Sequence, residues 1–145
     1  MLRYIQNKQM KLQKTLSRLQ RLHPKEIDLS LNRIKKLCHK LGNPQDNLNC
    51  ISVVGTNGKY STIQAIRAIL EAGNINCNIY TSPHIQKINE RFVYNNMEVS
   101  DEDLSKILNK VEEVNNNDPI TFFEILTAAY FYGAKKYSKN INIIE

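Results

Sequence analysis

Residues 51–61 read ISVVGTNGKYS: a short β-branched apolar run ends at Gly55, and a helix-patterned segment follows. Gly55 and Gly58 lie three positions apart, Lys59 comes next, and Ser61 supplies a hydroxyl. Glycines let backbone N–H groups turn towards an anion, and a helix start adds free N–H donors and a partial positive charge. The order strand, glycine turn, lysine and helix therefore predicts a phosphate-binding loop, with the lysine on terminal phosphate oxygens and the hydroxyl near Mg²⁺.

The loop departs from the standard Walker pattern. G-x-x-x-x-G-K-[ST] would place a glycine at Val53 and a hydroxyl at Tyr60, whereas the sequence has G-T-N-G-K-x-S. The alternative interpretation is a glycine turn between strand and helix, with Lys59 in solvent.

Length and composition are those of one ordinary domain. The chain has 145 residues, of which 41% are hydrophobic, enough for a globular core. It contains no long apolar run that would predict a membrane-spanning helix, and its first ten residues lack the apolar core of a secretion signal. Three cysteines without a C-x-x-C motif indicate buried thiols in a reducing, cytoplasmic setting.

The net charge of +6 is concentrated at the start of the chain. Residues 1–40 hold eleven basic and two acidic side chains, against nine and twelve in the remainder. Such a region could attract nucleic acid or anionic substrates, although a solvated basic helix face is the commoner case. Because no RNA-binding signature with interleaved aromatic residues accompanies it, we expect no nucleic-acid partner. A basic interaction module stays as an alternative.

Hydrophobic periodicity predicts an α/β fold, a P-loop-type parallel sheet flanked by helices. The predicted helices cover residues 6–22, 29–41, 61–72, 100–114 and 121–137. The predicted strands cover residues 51–54, 75–80 and 141–144, with a hairpin at 91–99.

Several residues carry more detailed expectations. Asp28 or Ser30 is expected to cap the second helix, and Ile69 to point inward from the third. The strand at 75–80 should have one polar side because asparagines alternate with its apolar residues. His23 and His39 are expected at the surface, and His84 in a loop.

The strand at 75–80 ends in TSPH, residues 81–84. Ligands of open parallel sheets bind beyond the carboxyl ends of the strands. This segment and the glycine loop therefore belong to the same edge of the predicted sheet.

Several motifs together resemble the folylpolyglutamate synthase/dihydrofolate synthase family of the Mur ligase superfamily. They are GTNGK-x-S at 55–61, YTSPH at 80–84, NER at 89–91 and TFFE at 121–124, with IDL at 27–29 and LGNPQ at 41–45 as weaker additions. The resemblance extends over about residues 15–145, with the motifs in the same order and spacing.

The resemblance implies an ATP-dependent amide ligase. Such enzymes transfer the γ-phosphoryl group of ATP to a folate or dihydropteroate carboxylate, and the amine of L-glutamate then attacks the acyl phosphate. The resemblance also implies that residues 1–145 are the N-terminal part of the ATP-binding domain, an incomplete Mur-ligase central ATPase domain that lacks the C-terminal glutamate-binding domain. We therefore expect a cytoplasmic monomer, without membrane attachment, that is inactive as a ligase by itself.

The family's functional residues map onto this sequence. The ATP loop matches Gly55, Thr56, Asn57, Gly58, Lys59 and Ser61, with Lys59 in the catalytic role. The Mg²⁺ ligands match Ser82 and Glu145. The pterin-side pocket matches Asp28, Leu29, Thr121, Phe122, Phe123 and Glu124. Without the resemblance, Ser82 would be part of a Ser-Pro turn and Glu145 a frayed chain end. Phe122 and Phe123 would be core residues.

Some questions stay open at this level. Tyr60 stands where the family usually has glycine, and Asn89, Glu90 and Arg91 either fix a loop over the site or pair internally. A non-catalytic nucleotide- or folate-binding remnant and a fragment of a Mur-type cell-wall ligase are the alternatives. The cell-wall ligase shares only the GTNGK element.

Overall fold

The computed structural model describes residues 2–23 and 30–145, with side chains from residue 9 onward. Its helices are α1 (Leu2–Leu22), α2 (Asn32–Lys40), α3 (Lys59–Ala72), α4 (Asp101–Asn115) and α5 (Phe122–Ala134). Its strands are β1 (Asn49–Ser52), β2 (Cys77–Tyr80), β3 (Phe92–Tyr94), β4 (Met97–Glu98) and β5 (Ile141–Ile144). The α/β class predicted from the sequence is confirmed.

The chain divides into two compact units. The first comprises Met1–Gln45 and Ser100–Tyr132, and the second Asp46–Val99 and Gly133–Glu145. The first unit is helical, and the second contains the sheet and α3.

In the helical unit, α1 packs along α4. Leucines at helical spacing on both helices are buried, namely Leu12, Leu16 and Leu19 on α1 with Leu104 and Leu108 on α4. At the border of this apolar contact the Arg18 guanidinium donates hydrogen bonds to both carboxylate oxygens of Glu112. The basic face of α1 is thus partly paired with the acidic end of α4.

The caps of two helices differ. Ser100, which precedes three acidic residues, caps α4. Its hydroxyl accepts a hydrogen bond from the Asp103 N–H at 3.1 Å. The expected cap of α2 is wrong for Ser30: the N-cap position is Leu31, without a side-chain hydrogen bond. Asp28, the other candidate, lies outside the described residues.

The sheet has five strands in the order β1-β5-β2-β3-β4. β1, β5 and β2 are parallel. The predicted hairpin forms as β3 and β4, of which β3 pairs antiparallel with β2 and β4 pairs antiparallel with β3. β5, the last strand in the sequence, therefore lies between the two strands of the predicted β-α-β unit. This insertion brings the end of the chain beside the end of β2.

A pair of buried asparagines sets the register of the two inner strands. Asn78 of β2 lies opposite Asn142 of β5, and its Nδ2 donates to the Asn142 Oδ1 at 3.1 Å. Both side chains are fully buried. The polar side predicted for β2 is thus buried, with the Asn78 amide hydrogen-bonded inside the sheet.

Helix α3 covers one face of the sheet. Ile63 of α3 packs with Val53, Ile79 and Ile143 in an apolar cluster. The inward orientation expected for Ile69 is wrong, since this side chain is 72% exposed. Ile66 and Leu70 point to the sheet instead.

Two further surface expectations need correction. His23 is buried rather than at the surface. Desolvation lowers its pKa below the ordinary value. Among the cysteines, Cys38 and Cys77 are buried as expected, but Cys50 of β1 is exposed. Within the described residues, no helix combines the length and apolarity needed to cross a membrane.

Candidate functional site

The glycine loop leads into α3 with an open helix N-terminus. Gly58 is the N-cap residue and adopts a left-handed conformation with φ of +75°, which favours glycine. The helix has no side-chain cap. A Cβ added at Gly58 would meet no atom within 4 Å. The start of α3 is therefore uncapped and uncrowded at Gly58, as an anion-binding helix start requires.

Lys59, the first residue of α3, turns towards the end of β5. Its Nζ lies 3.4 Å from Oε1 of Glu145. The side chains are 28% and 11% exposed, respectively, so this ion pair is partly shielded from water. The structure thus brings together the lysine and the acidic residue that the sequence assigned to phosphate and metal.

The Glu145 carboxylate is held from a second side by the end of β2. The Ser82 N–H donates to Oε2 of Glu145 at 3.1 Å. The backbone also continues the strand pairing here, because the Glu145 N–H donates to the Tyr80 carbonyl at 2.9 Å. Ser82 and Glu145 are neighbours because β5 lies directly beside β2 in the register that the asparagine pair supports.

A cleft of about 700 Å³ opens over these groups. Its lining includes Thr56, Asn57, Gly58, Lys59, Tyr60, Ser82 and Glu145. Tyr60, which departs from the family's glycine, is 65% exposed and lies at this cleft. Ser61 is exposed and does not line the cleft, so the structure leaves its hydroxyl away from the other predicted site residues.

Glu90 and Arg91 fix the loop beside the site, which is one of the two roles that the sequence left open. Glu90 accepts hydrogen bonds from the N–H groups of Ile85, Lys87 and Gln86, and these lower the pKa of its carboxyl below the ordinary value. Arg91 donates from Nε to Nδ1 of His84 at 2.9 Å. These contacts fix the loop that follows Ser82 along one wall of the cleft.

The second set of predicted residues lies in the helical unit, at the start of α5. The Thr121 N–H donates to Oε2 of Glu124 at 2.8 Å, and the Thr121 hydroxyl accepts the Glu124 N–H at 3.2 Å. Arg33 donates from Nε to the same Oε2 at 3.1 Å. The other oxygen, Oε1, is buried without a hydrogen-bond partner among the described residues. Sequence reasoning missed this ion pair.

A cavity of about 380 Å³ adjoins this cluster. Its lining includes His23, Arg33, Ile120 and Thr121. Of the aromatic candidates, Phe122 is buried and Phe123 is exposed, and neither lines the cavity. Asp28 and Leu29, the remaining candidates for a substrate pocket, lie outside the described residues.

Comparison with known proteins gives one consistent answer. A curated dihydrofolate synthase/folylpolyglutamate synthase from Bacillus subtilis is 34% identical over 123 residues, which is 79% of this chain and 28% of the relative. Escherichia coli FolC in complex with DHPP and ADP superposes with a TM-score of 0.85 at 29% identity, over 92% of this chain and 32% of that one. The chain belongs to the folylpolyglutamate synthase/dihydrofolate synthase family.

A third folylpolyglutamate synthase/dihydrofolate synthase is similar to this chain in structure. The bifunctional enzyme from Yersinia pestis, complexed with AMPPNP and Mn ion, has a TM-score of 0.84 at 29% identity, covering 92% of this chain and 33% of its own. No protein-family model matches the sequence. The chain spans about a third of the length of these relatives.

Proposed function

We propose that this chain supplies the nucleotide-phosphate and metal site of an ATP-dependent ligase that joins L-glutamate to a folate or dihydropteroate carboxylate. One observation carries the proposal: the Glu145 carboxylate is held by Lys59 and the Ser82 N–H at the mouth of the uncapped helix α3. The named relatives complexed with ADP or AMPPNP support a nucleotide as the ligand.

In this proposal the glycine loop binds phosphate through its backbone. Gly55, Thr56, Asn57 and Gly58 direct N–H groups at phosphate oxygens, and Lys59 neutralises the terminal phosphate. The charge of the lysine and the positive end of α3 then act on the same anion. Ser61, which lies outside the cleft in this structure, would help only if the start of α3 rearranges around the nucleotide.

We assign the metal position to the Ser82 hydroxyl and the Glu145 carboxylate. Among the described residues, no cluster of three His, Cys, Asp or Glu side chains could hold a metal. Two protein oxygens are nevertheless enough for Mg²⁺, which usually keeps waters and takes its other ligands from phosphates. When bound, Mg²⁺ would neutralise charge that develops on the phosphates during transfer. The Yersinia pestis relative, with Mn ion and AMPPNP, supports a divalent metal beside the nucleotide.

The exposed glycine loop and the Lys59–Glu145 pair suggest an exchange of partners. Without ligand, Lys59 forms an ion pair with Glu145, and both side chains are partly shielded from water. With nucleotide and metal, Lys59 turns to phosphate and Glu145 to the metal. Each charge then keeps an opposite charge beside it, so neither is left buried alone.

The substrate carboxylate has to be phosphorylated before the amine of glutamate can attack, because a carboxylate is a poor electrophile. Catalysis is then mainly positioning and charge neutralisation. We propose that Thr121 and the Arg33–Glu124 pair, with Asp28, Leu29, Phe122 and Phe123, belong to the folate side of the enzyme. The buried Glu124 Oε1, which lacks a partner among the described residues, is an acceptor for a pterin-like N–H donor.

The free cysteines support a reducing, cytoplasmic setting. Because 145 residues span only about a third of the relatives, we propose that they bind nucleotide but do not complete ligation by themselves. The remnant hypothesis predicts the same binding, so the ligase assignment additionally needs turnover in the presence of the remaining family segment.

Equilibrium titration with a fluorescent ADP analogue and Mg²⁺ tests the proposed site. Lys59→Ala should weaken binding by roughly ten- to a hundredfold, since hydrogen bonds to charged groups contribute about 1.5–3 kcal/mol. Lys139→Ala, an exposed lysine in the same unit, is the matched control and should leave the affinity unchanged. Equal affinities of the wild type and Lys59→Ala would refute the assignment.

A further inference from the structure

Tyr60 is a residue of the cleft to which the proposed function gives no task. It is the second residue of α3 and stands where the family usually has glycine. Its side chain is 65% exposed and lines the cleft together with Lys59, Ser82 and Glu145. Among the described residues, no hydrogen bond, ion pair or ring contact engages the phenol. The phenol is therefore available to a ligand that enters the cleft.

The face of α3 that carries Tyr60 is one wall of this cleft. Gln64 and Arg67, one and two helical turns further on, line the same cleft. Residues at these spacings share a face of a helix. Side chains of helical residues also lean back towards the N-terminus of the helix. From the second position of α3, the Tyr60 ring therefore leans over the helix start, next to the glycine loop.

The loop after β2 forms a second wall of the cleft. Pro83 and Ile85 of this loop line the cleft, and Ile85 is 91% exposed. The Glu90 carboxylate holds the loop in place, because it accepts hydrogen bonds from the backbone, including the Ile85 N–H at 2.8 Å. Apolar groups on both walls thus border the charged groups of the site. A hydrogen bond to phosphate is stronger in such surroundings than at an open surface.

The length of the Tyr60 side chain suits an outer phosphate. In the proposed function, backbone N–H groups and Lys59 bind the phosphates at the helix start. A serine or threonine at position 60 would bring a short hydroxyl to Mg²⁺. The tyrosine hydroxyl lies several ångströms further from the backbone, beyond the ring, and so reaches past the metal position. A phenol can donate one hydrogen bond, and donation to a charged oxygen is stronger than donation to a neutral one.

We propose that Tyr60 makes this chain selective for a nucleoside triphosphate over the diphosphate, because its hydroxyl donates a hydrogen bond to the outermost phosphate. A diphosphate on the glycine loop lacks that phosphate and leaves the phenol without a partner. The inference rests on the proposed function, since it assumes that the loop binds nucleotide phosphates. It adds a contact that the glycine usual in the family cannot make. A ligase that consumes ATP and releases ADP benefits from this preference, because its product competes less with its substrate.

The test compares AMPPNP with ADP, each with Mg²⁺, by isothermal titration calorimetry. The wild type should bind AMPPNP about tenfold more tightly than ADP. Tyr60→Phe keeps the ring and removes the hydroxyl, so it should lose most of this preference while its affinity for ADP changes less than about twofold. Tyr60→Gly, which restores the residue usual in the family, should lose the preference as well. Tyr132→Phe, the same change at a half-buried tyrosine of the other unit, is the matched control.

The ratio of the two affinities separates this contact from general effects on the site. Because Tyr60 is exposed, its variants should keep the wild-type melting temperature, measured by circular dichroism. Equal wild-type affinities for the two nucleotides, a preference that survives in Tyr60→Phe, or tighter AMPPNP binding by Tyr60→Gly would each overturn the inference. If Lys59→Ala weakens ADP binding while the ratio stays unchanged in Tyr60→Phe, this inference fails and the proposed function stands. Binding of neither nucleotide by the wild type would overturn both.

Discussion

Replacing Glu145 by Gln should change nucleotide binding in opposite directions with and without metal. In the free protein, Glu145 holds Lys59 at 3.4 Å. The gross attraction at this distance is about 5 kcal/mol for an effective dielectric constant near 20. Desolvation and partial exposure reduce the net value to about 1 kcal/mol. Nucleotide binding has to break this pair, so its removal should strengthen binding of ADP in EDTA about fivefold.

With Mg²⁺ the sign reverses, because the variant has lost the proposed carboxylate ligand of the metal. Wild-type protein should bind ADP more tightly with Mg²⁺ than in EDTA, and Glu145→Gln should lose most of that difference. The assay is titration of a fluorescent ADP analogue in either buffer. Glu113→Gln, which makes the same chemical change at an exposed position in α4, is the control and should behave as the wild type. The reasoning is refuted if Glu145→Gln binds no tighter in EDTA, or if Mg²⁺ strengthens binding to the variant and to the wild type equally.

Three further predictions concern the scaffold, and each is checked by urea unfolding. Asn142→Ala removes three hydrogen bonds of a fully buried amide, so it should lower the free energy of unfolding by about 2–4 kcal/mol. The control Asn76→Ala, at an exposed amide, should lower it by less than about 1 kcal/mol. Gly133→Ala should cost about 1–3 kcal/mol, because the added Cβ would overlap the Tyr94 phenol ring; a stability equal to the wild type would contradict this. Burial lowers the pKa of His23, so the folded state favours the neutral ring. Stability should therefore fall as the pH drops below about 6.5, towards the lower folded pKa, and His23→Gln should reduce that fall; an unchanged pH dependence would contradict the burial argument.

The sequence was sufficient for the elements around the glycine loop. The β-branched run, the glycines and the periodic isoleucines each specify local structure, so β1, α3 and β2 form near the predicted positions. The bounds differ, since β1 (Asn49–Ser52) begins and ends two residues before the predicted 51–54. The hairpin was also predicted, because Asn95-Asn96 between two strand-like runs is a local turn signal, and both asparagines adopt positive φ.

The order of the strands in the sheet and the burial of several side chains could not be predicted from local sequence patterns. Periodicity does not say which strands are neighbours, so nothing local placed β5 between β1 and β2. The burial of Asn78 could not be predicted, because its partner Asn142 lies 64 positions away. Ile69 fitted an apolar stripe and yet is exposed. His23 was assigned to the surface from its polarity, although it is buried in the helical unit.

In the candidate site, too, local features could be predicted from the sequence, whereas contacts between distant residues could not. The motif predicted where Lys59 sits, and the family resemblance indicated Ser82 and Glu145 as oxygen ligands at neighbouring strand ends. The Lys59–Glu145 ion pair depends on strand order and distance, and only the structure shows it. The pairing of Arg33 with Glu124 is likewise a contact between residues 91 positions apart.

The central claim is that the loop between β1 and α3 binds the phosphates of a nucleotide. Amide chemical shifts of the ¹⁵N-labelled chain, recorded during titration with ADP and Mg²⁺, test it most directly. The account predicts that the largest shift changes occur at residues 55–61, with further changes at Ser82 and Glu145. Largest changes at residues 121–124, or no saturable change at the glycine loop, would contradict it.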